Sequence, residues 1–330
     1  MSRSDAVSRL AALSSSITGW SKEACKSWAQ QRDATWELPV PDAEGWDQAT
    51  LESKILQKVA NTFQDRQLTI PKSLTIPPDG IRTLRLAGAG KIGAVYGVLR
   101  AHPTKVGLTL HLHPQMAGAW IADVLPHESK EGGFYGIAGL RPQPHNEGTL
   151  LIDITSNARV LLQGIPYHSL ETLLPNWCAN CNLSWINSPS SLTECEREDN
   201  HYEEQAKSRD SGFFYSTALI NSRILRRPAL VNTVAVHGIV NTYRGLDGNP
   251  KFEWCCGPSE SSFRRALRES GLWQPPWPIP QAHQNYPRPD KATVSLRWSA
   301  TCFWSSPSTP LEVQQKLAKQ YHRDSEKGES

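Results

Sequence analysis

Between Asp47 and Phe63 apolar residues recur every fourth position: Leu51, Ile55, Val59 and Phe63, with Leu56 and Ala60 widening the stripe. Glu52, Lys54, Lys58 and Asp65 fall on the other faces. This period predicts an amphipathic helix that Asp47 caps and whose stripe docks on a core. Upstream, Asp5 to Leu13 repeats the pattern with Val7, Leu10 and Ala11 behind a capping Ser4, and Ser21 to Arg32 sets Ala24 and Trp28 four apart. Residues 1–66 therefore read as a helical region.

After Pro71 the period changes to two. Leu68 to Ile76, Ile81 to Leu86, Gly93 to Leu99 and Val106 to His113 alternate apolar and polar residues as half-buried strands do. Arg100 to Thr104 joins the last two in this reading, and Leu150 to Thr155 with Arg159 to Leu162 forms a further strand pair around Ser156-Asn157. The region 67–175 is expected to be an antiparallel meander. From 176 to 210 the chain turns polar, cysteine-bearing and then highly charged, which reads as an irregular insertion or a boundary. In the mixed region 211–322, Phe213 to Arg227 is a helix or a strand, Leu230 to Asn241 and Thr293 to Trp304 are strands, and Ser261 to Glu269 and Leu311 to Tyr321 are helices. Residues 323–330 form a polar tail expected to be disordered. The fold class is α+β: a helical N-terminal segment packed on a mainly antiparallel sheet, with a cysteine-bearing irregular insertion.

Composition changes this picture little. Across 330 residues, 35 basic and 32 acidic side chains give a net charge of +3, too even to draw the whole molecule onto a polyanion, so nucleic-acid contact requires a local patch. No run of apolar residues is long enough to span a membrane, and no signal-peptide pattern opens the chain. The 7 cysteines are an odd number and thinly spread, which favours a reducing compartment, cytoplasmic or nuclear. The 12 tryptophans and 24 prolines, bunched at Pro71–Pro78 and Trp273–Pro280, indicate irregular chain packed down by aromatic side chains.

The strongest chemical signal is Cys178-Ala-Asn-Cys181, followed after 13 residues by Cys195 and after five more by His201. Two thiolates two residues apart reach one ion from a tight turn, and a second ligand pair closes a tetrahedral structural zinc site with no open position. The alternatives are reduced cysteines on a loop beside Trp177 and Trp185, or a redox pair, for which the surrounding βαβ context is missing. Cys255 and Cys256 are adjacent, diverge, and read as core thiols.

On the strand Val106 to His113 the alternation places Thr109, His111 and His113 on one face, so two imidazoles project side by side. This histidine, apolar, histidine strand resembles the metal-binding strand of HUH endonucleases, which nick single-stranded DNA through a covalent tyrosine; the resemblance covers three residues. It implies a metal at His111 and His113, a further polar ligand and an attacking tyrosine, whereas Tyr135, Tyr167 and Tyr321 do not head the tyrosine-then-lysine helix pattern of that family. The other reading is a strand face whose histidines bond to neighbours or solvent. Gly88-Ala-Gly90-Lys-Ile-Gly93-Ala-Val95 resembles the glycine loop of protein kinases, but the companion lysine, His-Arg-Asp and Asp-Phe-Gly segments are absent; a tight glycine hairpin is the alternative.

Arg223, Arg226 and Arg227 form one basic cluster, and Arg264, Arg265 and Arg268 another on a helix whose apolar side is Phe263 and Leu267. Either could grip phosphates beside tryptophans, or be a solvated helix face. The sequence thus points to a non-enzymatic binding or assembly protein, such as a viral structural or regulatory protein, stabilised by zinc and contacting nucleic acid or a protein partner, its oligomeric state open. The rival is a metal-dependent enzyme acting on nucleic acid or nucleotides through His111 and His113 or the Gly88–Gly93 loop.

Overall fold

The computed structural model describes residues 3–30, 39–65, 95–105, 107–188, 190–209, 211–234, 240–244, 250–254, 258–272 and 295–298. The N-terminal region is helical as expected: α1 (Arg3–Thr18), α2 (Lys22–Gln30) and α3 (Trp46–Asp65). Leu51 and Ile55 of the stripe face inward with Leu56, all at most 2% exposed.

A five-stranded sheet follows, in the order β1 (Val98–Pro103), β2 (Leu108–Leu112), β7 (Arg159–Gln163), β6 (Gly148–Asp153), β5 (Leu140–His145). All pairs are antiparallel except β2 with β7, where Leu108 to Leu110 run alongside Val160 to Leu162. The α+β class and mainly antiparallel sheet match the expectation. The period-two burial of β2 and β6 is the reason: Leu108, Leu110, Leu112 and Leu151 enter the core while their neighbours stay half-buried. Arg100 to Pro103 belongs to β1 rather than to a linker, because Ala101 pairs with Leu110 and is fully buried.

Between β2 and β5 lie α4 (Pro114–Val124) and two short strands, β3 (His127–Ser129) and β4 (Phe134–Tyr135). The spacing of Ala117, Trp120, Ile121 and Val124, all buried, is helical and places α4 in the same core cluster as the sheet and α3. Gly136 has φ +90, and a Cβ there would stand 2.2 Å from the Leu125 carbonyl, so only glycine fits this turn. Gln48 of α3 acts as a surrogate strand for β7: its Nε2 donates to the Arg159 carbonyl (2.9 Å) and its Oε1 accepts from the Arg159 amide (2.9 Å). Helical layer and sheet are thereby tied by backbone-like bonds.

The stretch 176–210 is a correction. Its polarity predicts an irregular insertion, but apart from residues 189 and 210, which lie outside the described set, it contains the end of α5 (Tyr167–Asn180), the strand β8 (Leu183–Trp185) paired to β3, and α6 (Glu194–Arg209). A reciprocal capping box starts α6: Thr193 Oγ1 accepts from the Glu196 amide (3.3 Å), and Glu196 Oε2 accepts from the Thr193 amide (2.9 Å).

Next come α7 (Ser211–Leu225) and α8 (Pro228–Asn232). Leu230 and Val231 therefore sit in a helix and not in a strand, since Pro228 in its first turn nucleates helix. A second sheet pairs β9 (Val240–Arg244) antiparallel and β11 (Ser295–Trp298) parallel to the central β10 (Pro250–Trp254), and α9 (Glu260–Glu269) is capped by Ser259, which accepts from the Ser262 amide. The expected strands of 68–86, the Gly88–Gly93 loop, Cys255, Cys256, the helix Leu311 to Tyr321 and the tail lie outside the described residues.

Candidate functional site

The four zinc-ligand candidates fall on two helices. Cys178 lies in the last turn of α5, 2% exposed, packed in the core with Leu174 and Trp177, and Cys181 is the residue that ends that helix. Burial, then the neighbouring Cys181, pushes the Cys178 thiol up to about 12, and the helix C-terminus disfavours a thiolate too. This is the reverse of a redox-active cysteine at a helix N-terminus. Cys195 sits in the first turn of α6, its Sγ 4.0 Å from the Gly132 carbonyl. Slight burial, then the Glu128 carboxylate and Glu198, push its thiol up as well. His201 is exposed one and a half turns later, hydrogen-bonded to Gln205 (2.7 Å). Among the described residues no three His, Cys, Asp or Glu side chains converge as metal ligands, so this arrangement does not bring the four together.

The histidine strand is present: His111 lies on the half-buried face of β2, and His113, also half-buried, follows just after its last residue. Trp20, from the turn after α1, lies between two imidazoles: it stacks on His102 of β1 at 4.7 Å and leans on His111 at 5.1 Å. Burial lowers the pKa of His111, a side-chain hydrogen bond with Gln163 raises it, and Arg100 lowers it further. Burial lowers His102, with Glu147 opposing, and burial alone lowers His113. Neutral, packed rings describe this face. A small apolar cleft opens beside it, lined by Trp20, Trp28, Pro39, Pro41, Cys25 and His102. Tyr135 stacks on His127 at 5.4 Å, and Tyr321 lies outside the described residues.

The two arginine clusters have opposite fates. Arg223, Arg226 and Arg227, on and just after the last turn of α7, are at most 2% exposed. Arg226 forms a fork with Glu52 of α3 (2.6 and 2.7 Å) and also donates to the carbonyls of Pro41 and Thr104. Arg223 grips Asp42 (2.6 to 3.1 Å) and the Leu272 carbonyl. Arg227 donates to the carbonyls of Ser270, Arg223 and Val40. Burial, opposed by Asp42 and reinforced by Arg223 and Arg226, pulls its guanidinium down to about 9. These three hold the core and do not face a ligand. Arg264, Arg265 and Arg268 instead line the outer face of α9, opposite buried Phe263 and Leu267; Arg264 pairs with Glu260 one turn back (2.7 Å), and Arg265 and Arg268 are exposed.

Sequence reasoning passed over two features. One is a further buried node: Arg141 of β5 donates two hydrogen bonds to the Glu196 carboxylate of α6 (2.7 Å each) and donates to the carbonyls of Ser188 and Ser191. Burial pushes the Glu196 carboxyl up, but the bonds from Arg141 and from the amides of Gly139 and Thr193 outweigh it and hold the carboxyl below its usual range. Thr193-x-x-Glu196 is a capping-box signature that marks both helix start and carboxylate. The other is the outer stripe of α6: Glu194, Glu198 and Tyr202, spaced i, i+4, i+8, all exposed, with Tyr202 71% exposed.

No protein-family model matches the chain, and no curated protein or solved structure does so either. Among the described residues no helix is long and apolar enough to cross a membrane.

Proposed function

We propose that this is a non-enzymatic binding or assembly protein that engages a charged partner through solvent-facing helices carried on a rigid core. The observation that supports this reading is the exposed Glu194, Glu198, Tyr202 stripe on a helix whose base is locked by the buried Arg141–Glu196 pair. Two carboxylates and a largely exposed tyrosine on one helical face are the elements of a protein interface: charge steers the encounter, and the ring supplies contact area at low entropic cost. The arginine face of α9 offers the opposite sign. The reading does not depend on zinc; a structural site at Cys178, Cys181, Cys195 and His201 would add to it and is decided by elemental analysis of untagged protein beside Cys178→Ser.

Fluorescence anisotropy of a labelled oligoarginine peptide with the full chain tests the proposal. Salt-sensitive binding that is lost in Glu194→Lys/Glu198→Lys supports it. Absence of binding, both to this peptide and to labelled single-stranded oligo(dT) offered to the α9 arginines, sinks it.

A further inference from the structure

We infer that the partner of the α6 stripe is a second copy of this chain, docked through the arginine face of its α9. The inference rests on the binding reading above and names its partner. Both halves of the contact are present on each molecule. The α6 stripe carries Glu194 and Glu198, neither with an ion-pair partner among the described residues, and the exposed Tyr202 ring. The α9 face carries Arg265 and Arg268, three apart, exposed, and equally without an ion-pair partner among the described residues. Arg264 is drawn back by Glu260 and flanks them.

Charge complementarity selects this occupant. A net charge of only +3 over 330 residues conceals a segregation of sign. Along Glu194–Arg209 six acidic residues face three basic ones, whereas Glu260–Glu269 holds three arginines and two glutamates. No hydrogen bond or ion pair joins α6 to α9 within the molecule among the described residues. Guanidinium forks match carboxylates bidentately, and an arginine also stacks on the face of a tyrosine, so Arg265 and Arg268 fit a stripe of two carboxylates and a ring better than lysines would. Contact between two different patches of identical chains is either made twice about a twofold axis, which closes a dimer, or made once, which propagates to rings or open chains.

Sedimentation velocity of the full chain at low and at high salt is the test, with two charge-reversed variants. The wild type is expected to self-associate as concentration rises and to dissociate as salt rises, because exposed charge pairs are screened. Glu194→Lys/Glu198→Lys and Arg265→Glu/Arg268→Glu are each expected to weaken association about tenfold or more. Mixed in equal amounts, the two variants retain one intact α6 face and one intact α9 face between them. They are expected to associate with each other where neither associates alone, because the intact faces meet as in the wild type and the reversed faces, lysine against glutamate, are complementary as well. A chain carrying all four reversals is expected to associate again. A wild type that stays monomeric, variants that associate as the wild type does, or a mixture that does not associate would each overturn the inference. Every variant's melting temperature is compared with the wild type's, so that unfolding is not read as dissociation. If the wild type stays monomeric yet binds oligoarginine through α6, or oligo(dT) through α9, the partner assignment falls while the binding reading stands. If it does neither, both fall.

Discussion

Two buried arginine nodes hold this protein, and they differ in balance. At the β5–α6 node one guanidinium, Arg141, meets one carboxylate, Glu196, and every lone pair of that carboxylate is aimed at a donor. At the α3–α7 node three guanidiniums, Arg223, Arg226 and Arg227, share two carboxylates, Asp42 and Glu52. The first node is self-contained. The second carries a surplus cation that is satisfied by carbonyl dipoles alone, so its electrostatics depend on all its members. Buried charge is tolerated when paired and costly when a partner is lost, which makes the surplus node the more fragile of the two.

The sharpest way to break the comparison is Glu52→Gln. It leaves Arg226 without its carboxylate and the node with three cations against one anion, so a loss of about 3–5 kcal/mol or failure to fold is expected, read by urea denaturation. Glu196→Gln strands a single cation, and it is expected to cost about 2–4 kcal/mol, the smaller of the two. If Glu196→Gln proves the more damaging, charge balance is not what separates the nodes.

The pH dependence follows from the same carboxyl. The folded pKa of Glu196 is held below its ordinary 4.5, so its stabilising contribution is fully present above that value and is lost as pH falls through the lower folded one. Acid titration of the melting temperature is therefore expected to be shallower below about pH 4.5 in Glu196→Gln than in the wild type.

Arg227→Met is expected to have a smaller effect, within about 1 kcal/mol of the wild type or slightly stabilising, since it removes a cation that has no carboxylate of its own. With the folded pKa drawn down to about 9, the burial penalty on Arg227 is present in full below that pH and eases as pH climbs from there. A loss comparable to that of Glu52→Gln would show that the carbonyl bonds, and not the charge, dominate. Smallest of all, Arg265→Glu on the exposed face of α9 is expected to alter stability by less than about 0.5 kcal/mol, for here the arginines face water.

Much of the secondary structure was legible because it rests on local periodicity. The stripe of α3, the alternation of β2 and the turn at Ser156-Asn157, where Asn157 adopts φ 62, all follow from patterns shorter than twenty residues. In the region 176–210 polarity predicts an irregular insertion or a boundary, although Thr193-Glu-Cys-Glu196 carries a helix start and its charges are those of an exposed helix. The cysteine spacing could not show that Cys178 belongs to the buried face of α5, because spacing alone says nothing of which way a helix is turned.

By itself, the sequence determined the α+β class, the helical N-terminal region, the strand alternation and the two arginine clusters as clusters. Only the tertiary structure decided that Arg223, Arg226 and Arg227 are core while Arg264, Arg265 and Arg268 are surface. In the chain both are arginines three or four apart on or beside a helix. What separates them is Asp42 and Glu52, which lie 181 and 174 residues from their partners and meet them only once α3 packs against α7. A charge can leave water when an opposite charge is brought to it, and that neighbour is supplied by the fold, not by the flanking residues.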